Sequence, residues 1–177
     1  MKQLSLSLIG EISLPIEYLI STDLNLAYAQ WSGRVRLVEF RKMFPAYLAD
    51  QNYLQGRPEL CDFSNFTDMD ADFKQIWSAL HMVNAPEMHS DCKTKCVVYA
   101  PSDLAFGFAR MYQSLAEQQA GVQVAVCSTQ KEVFAALNLE FSTISDLLGF
   151  GRFHQPSPSL ETVCQPSLAQ TTLARLQ

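Results

Sequence analysis

Charge is scarce in this sequence. Asp, Glu, Lys and Arg make up 18% of the 177 residues, and the acids outnumber the bases 18 to 13. A chain without surplus cations has little with which to displace counterions from a phosphate backbone. Sequence-tolerant nucleic-acid binding and attachment to an anionic membrane surface are disfavoured on that ground. No apolar run approaches the roughly 20 residues of a membrane-spanning helix. Lys2 followed by LSLSLIG imitates a signal peptide, but Glu11 cuts the run short and no small-residue cleavage site follows. The five cysteines are odd in number and lack framework spacing, which excludes a disulfide scaffold and points to a reducing, cytoplasmic setting. No internal repeat and no catalytic motif of useful specificity occurs, so no cofactor is implied.

Hydrophobic residues, by contrast, reach 48%. That is enough for one domain with a proper core, and the low charge leaves apolar surface over for a partner. The chain is organised around residues 95–126. Residues 96–100 are a short β-rich run, Pro101-Ser102 breaks it and opens a helix, Gly121 closes the helix, and 122–126 is a second apolar run. Such a unit places two parallel strands side by side with a helix across one face.

Residues 1–14 alternate loosely and read as an arm or edge strand. Residues 16–21 and 24–31 read as an antiparallel hairpin turning at Thr22-Asp23 and ended by Ser32-Gly33. Leu37, Phe40, Phe44, Tyr47 and Leu48 recur at helical spacing over 35–49, with Pro45 expected to kink or break that helix. A short strand is expected at 59–63. Ser64 and Thr67 then read as helix-start residues, Thr67 with Asp70 resembling a capping pair. Phe73, Ile76, Trp77, Leu80 and Val83 give the next helix its apolar stripe. In the helix after Ser102, the buried face is expected to carry Leu104, Phe108, Met111, Tyr112 and Leu115. Gly107 falls on that face too, compensated by close approach to the sheet. Thr129-Gln130-Lys131-Glu132 is a full capping box. The domain is expected to span 1–139, with 140–177 a C-terminal extension: a short amphipathic helix at 141–150 whose Leu147, Leu148 and Phe150 are exposed or docked, then a polar tail.

This order of hairpin, helices and linking strands resembles the STAS-like (SpoIIAA-like) fold, and more closely a bacterial family sharing it. The likeness is carried by SGRVRLVEF at 32–40, LCDF at 60–63, APSDLAFGFARMYQSLAE at 100–117 and VQVAVCSTQKEVFAAL at 122–137. It covers roughly 18–139. The resemblance implies an α/β fold: a small mixed sheet, an N-terminal antiparallel hairpin plus parallel βαβ units, flanked by about four helices. It lends no activity. In the anti-sigma-factor antagonists of that fold a phosphorylatable Ser sits where a strand meets its helix. The matching junction here, SNFTDMD, carries Ser64 and Thr67 but lacks the usual Asp-Ser-Ser-Gly run.

Each candidate site has a plainer competitor. His89, Cys92 and Cys96 have the spacing of three zinc ligands, but no fourth ligand matches and a core thiol explains Cys96. Cys61 and Cys127 would need His81, His89 or His154 beside them to act as nucleophiles. Ser64 and Thr67 are candidate phosphorylation sites because phosphate is welcome at a helix start. Ser102 and Asp103 with Arg110 are a candidate anion pocket, although capping alone explains the first two. Asp68, Asp70 and Asp72 do not share one helix face and suit a solvated start better than a divalent ion. Phe106, off the buried stripe, and the segment carrying Leu147, Leu148 and Phe150 are candidate interface residues. Three functions compete: a regulatory module acting through protein contacts as a homodimer; a carrier of a small apolar ligand, resembling CRAL-TRIO lipid-transfer domains; and a Cys-dependent enzyme.

Overall fold

The computed structural model describes residues 14–72, 74–76, 78, 94–117 and 122–155. Strands β1 (Ile16–Ser21) and β2 (Leu26–Arg36) pair antiparallel, with Ile16 opposite Trp31. Asn25 closes the turn at φ 47°, a left-handed conformation that asparagine tolerates better than most residues. Helix α1 (Leu37–Leu48), β3 (Glu59–Asp70), β4 (Thr94–Tyr99), α2 (Asp103–Ala116), β5 (Val122–Cys127), α3 (Gln130–Leu137) and α4 (Ile144–Phe150) follow. The five strands lie in chain order, β1-β2-β3-β4-β5, with β2 to β5 mutually parallel. The α/β class, the hairpin and the central parallel unit are therefore present, as a mixed sheet with helices on both faces.

Strand alternation sorts the core in two. Trp31, Cys61, Cys96, Val98 and Val124 face α1 and α2. Leu26, Tyr28, Leu60, Val97 and Cys127 face α3 and α4. Successive parallel neighbours joined by right-handed crossovers put every crossover helix on one side of the sheet. The other side is thus left to the chain after β5. That is why the domain does not stop near residue 139. Leu147 is fully buried, Ile144 is 6% exposed, and His154 forms a β-bridge with Ile20. The boundary moves to at least residue 154.

Several local expectations are also corrected. Strand β2 does not end at Ser32-Gly33. Gly33 adopts φ 65° beside two register shifts against β3, and the strand resumes to bury Val35 completely. The continued β2 gives β3 a partner, Ser32 opposite Asn65 and Arg36 opposite Asp70, so β3 runs through Asp70 instead of stopping at Phe63. Ser64 and Thr67 are accordingly exposed strand residues, not helix caps. The reciprocal capping pair lies further on: Gln75 N–H donates to Asp72 Oδ1 at 2.8 Å, and Asp72 N–H donates to Gln75 Oε1 at 2.9 Å. Residues 74–76 are helical. Helix α1 continues across Pro45 to Leu48. Pro45 forfeits its one bond to the Arg41 carbonyl, but its own carbonyl still accepts from Ala49 N–H at 3.0 Å and the buried Tyr47 holds the last turn in place.

In α2, Ser102 caps as expected, with Ala105 N–H donating to its Oγ at 3.3 Å. Its buried face is set by Ala105, Ala109, Leu115 and Ala116, with Phe108 and Tyr112 half-buried, while Leu104 points outward at 55% exposure. The close approach to the sheet is made by alanines, and Gly107 is exposed. A Cβ built on Gly107 meets nothing within 4 Å. Gly107→Ala is therefore expected to stabilise the protein by about 1 kcal/mol, by restricting the unfolded chain and restoring helix propensity. Urea denaturation checks it; destabilisation would mean that the glycine serves a contact. The capping box at the start of α3 is present in full, with Thr129 N–H donating to Glu132 Oε2 at 3.1 Å and Glu132 N–H to Thr129 Oγ1 at 3.3 Å.

Candidate functional site

Aromatic residues accumulate on the sheet face under α1 and α2. Trp31 of β2 faces inward against Phe63 of β3 and Phe40 of α1, at centroid distances of 5.2 and 6.0 Å. Phe66 stacks on Phe63 at 5.2 Å, and Phe108 of α2 closes on Phe66 at 5.0 Å. These rings do not fill the space. A cavity of about 40 Å³ remains, its wall apolar throughout, formed by Trp31, Phe40, Phe63 and Phe108 together with Cys61 and Tyr112. Leu37, Met69, Ile76 and Val98 complete it. Trp31 is 8% exposed, and its Nε1–H is buried without an acceptor.

Beside the cavity lies a cluster of protonated groups. The Cys61 and Cys96 sulfurs are 3.9 Å apart on neighbouring strands. The hydrogen bond to Cys61, burial, and the nearby Glu59 push the Cys96 thiol well up. Burial, then Cys96, Cys61 and Glu59, raise the Tyr112 phenol likewise. The Glu59 carboxyl is turned under α1, where the Tyr47 hydroxyl donates to its Oε1 at 3.0 Å, and burial pushes it up to about 7. Tyr47 is raised in turn by burial and by Glu59. Tyr18, whose hydroxyl donates to Asp50 Oδ2 at 3.1 Å, is pushed up to about 12 by burial and by that carboxylate. On the opposite face burial and Asp62 raise Tyr28, whose hydroxyl donates to Asp62 Oδ2 at 2.9 Å. Low local dielectric keeps the thiol of Cys96 and the phenols neutral, so they pack and donate rather than attack.

The residues singled out from sequence are dispersed. Ser102 and Asp103 stand at the start of α2. Arg110 lies seven residues on, about 10 Å along the axis, with its guanidinium donating to Gln113. No anion pocket is assembled from the three. Ser64 and Thr67 are exposed, but their strand setting removes the helix-start attraction for phosphate. Asp62, Asp68 and Asp70 flank them with like charge. His89 and Cys92 lie outside the described residues, and Cys96 is 1% exposed in β4. Among the described residues no three His, Cys, Asp or Glu side chains are grouped to hold a metal ion. His154 is on the β1 edge, at the far end of the sheet from Cys127, while His81 and His89 lie outside the described residues. Burial first, then Glu132, raises the Cys127 thiol.

Of the candidate interface residues, Leu147 is a core residue of the α4 side and Leu148 packs partly against that core. Phe106 at 39% and Phe150 at 73% remain exposed. Sequence reading missed the cavity. Its aromatic walls come from four separate elements, so no single segment's pattern signals it. Among the described residues no helix is long and apolar enough to cross a membrane. No family model, no curated protein and no solved structure matches the chain.

Proposed function

We propose that the chain is a STAS-like regulatory module, acting in a reducing, cytoplasmic setting through contact with another protein chain, in the first place a second copy of itself. One observation carries this reading. At the start of α2 the small Ala105 is fully buried while Leu104 and Phe106 on either side of it are 55% and 39% exposed. A helix that faces water alone places its large apolar residues inward and polar ones outward. Here the outward positions of the first turn are apolar, the pattern of a surface that is covered in the working state. Closed twofold pairing is the commonest way for a chain to cover such a patch. The STAS-like assignment itself is supported by the likeness of segments across residues 18–139 and by a mixed sheet entered through a hairpin.

Sedimentation velocity tests the reading. The chain is expected to dimerise at micromolar concentration, and Phe106→Glu is expected to weaken the dimer by about tenfold or more, since it buries a charge at the contact. The same variant should leave urea stability nearly unchanged, because Phe106 contributes little to the core. A wild-type chain that stays monomeric throughout that range would defeat the proposal.

A further inference from the structure

We propose that Arg57 and Asn25, at the end of the sheet where β2 and β3 begin, form a binding site for a carboxylate, received by the Arg57 guanidinium and the Asn25 amide. Arg57 is 6% exposed. The ion pairs among the described residues join Arg34 to Asp68 and Asp70 and Arg36 to Glu39, and none reaches Arg57. Burying a charge without a counter-charge is unfavourable, and burial does not neutralise a guanidinium. Hydrogen bonding meets only part of the need. Arg57 Nε–H donates to Asn25 Oδ1 at 3.1 Å, and Nη1 donates to the Asn52 carbonyl. A guanidinium has five N–H groups, and both on Nη2 are without an acceptor among the described residues. Among those residues Trp31 Nε1 is the one sealed side-chain nitrogen or oxygen that lacks a partner, so Nη2 keeps contact with solvent.

Two fastened loops hold these groups in place. In the turn between β1 and β2, Asn25 N–H donates to the Thr22 carbonyl at 3.3 Å. In the loop between α1 and β3, Arg57 N–H donates to the Leu54 carbonyl at 3.1 Å, and Ala27 N–H joins the two loops through the Pro58 carbonyl at 3.0 Å. Asn25 turns its side-chain oxygen to Arg57, which leaves its Nδ2 as a second donor beside the guanidinium. Asp50, the acid of the same loop, is spent elsewhere: its Oδ2 accepts from the Tyr18 hydroxyl and its Oδ1 from Asn52 N–H at 2.8 Å. One cation, with Asp23 in the turn and Asp50 in the loop, suits one negative charge and opposes a second. A planar carboxylate meets that condition and matches the flat guanidinium, whereas a phosphate dianion does not. Helix α2 starts where β4 ends, at the opposite end of the sheet, so this site and the surface assigned to self-association can fail separately.

The Arg57 Nε–H resonance of the full chain, followed during titration with sodium acetate at constant ionic strength against sodium chloride, tests the proposal. Acetate is expected to shift it saturably at millimolar concentration, and inorganic phosphate at pH 8 to bind about tenfold more weakly. N-acetylglycinate distinguishes the carriers of the group. Binding tighter than acetate assigns a peptide end, equal binding assigns a free small acid, and both support the site. Arg57→Lys keeps the charge without the fork and is expected to weaken acetate binding about tenfold, read from the Asn25 side-chain amide resonances. Should that variant fold poorly, Asn25→Gly suits the φ of 47°, removes the second donor and is expected to weaken acetate binding about threefold, read from Arg57. A shift that follows ionic strength alone, phosphate binding as tight as acetate binding, or undiminished acetate binding by either variant would overturn the assignment.

Discussion

Leu147→Ala is expected to destabilise the protein by about 3 kcal/mol, and a chain ending at residue 139 is expected to lose cooperative folding altogether. Leu147 is fully buried against the face formed by Leu26, Tyr28, Leu60 and Val97. The side chain is held there by a helix that is only seven residues long and is fastened at several points. Thr143 accepts from Asp146 N–H at 3.0 Å, and Ile144 N–H donates to Gln130 Oε1 at 2.7 Å, tying α4 to α3. Phe141 bridges Phe134 and Phe150 at 5.9 and 5.5 Å. Beyond the helix, Phe153 meets Tyr28 edge-on at 6.5 Å, and His154 N–H donates to the Ile20 carbonyl at 2.8 Å. Removing the leucine leaves a cavity that these fixed neighbours do not collapse to fill. Phe150→Ala, at a site 73% exposed, is expected to change stability by less than about 0.5 kcal/mol. Urea denaturation followed by far-UV circular dichroism separates the two. A shortened chain that unfolds at the same midpoint as the full one would show that the second face needs no cover.

The sequence was most legible where one local rule decided the outcome. The hairpin, the parallel unit and the capping box at Thr129 each depend on a few neighbouring residues, and each is present. It was least legible where the deciding partner was distant. Ser64 and Thr67 have the composition of a helix start, yet pairing with β2 holds them in a strand, and that pairing exists because β2 continues past Gly33 while β3 takes up the extra residue at each of two register shifts. Leu104 looks like a core residue by hydrophobicity. The sheet instead accepts Ala105 and Ala109, because close packing selects small side chains at the point of nearest approach. The change of composition after residue 139 imitates a domain end. Strand order leaves one sheet face to the chain after β5, where α4 joins α3 in covering it. The cavity had no signal in the chain at all: a void depends on how four aromatic residues fail to meet, and no periodicity encodes that.

A charge placed under α1 gives the protein a pH dependence that the sequence does not suggest. Folding raises the Glu59 carboxyl from 4.5 to about 7, through burial only partly offset by the Tyr47 hydroxyl. The folded state thus holds this proton more tightly than the unfolded chain. Below pH 4.5 both states are protonated, and the residue imposes no penalty. Between 4.5 and 7 the unfolded chain releases its proton first, so stability falls as pH rises. Above 7 the loss levels off. The difference of about 2.5 pH units, at 1.36 kcal/mol each, sets an upper value of about 3 kcal/mol. The groups facing the carboxyl are Tyr47 from α1, Tyr53 from the following loop, and Cys96 and Tyr112 from β4 and α2. All are driven towards their neutral forms. None supplies a positive charge to hold the carboxylate. Glu59→Gln keeps an oxygen to accept from the Tyr47 hydroxyl and cannot ionise. It is expected to match the wild type near pH 4.5 and to exceed it by up to about 3 kcal/mol at pH 8. Urea midpoints measured across that range for both proteins give the difference curve directly. A flat curve would place the Glu59 carboxyl in water rather than beneath the helix.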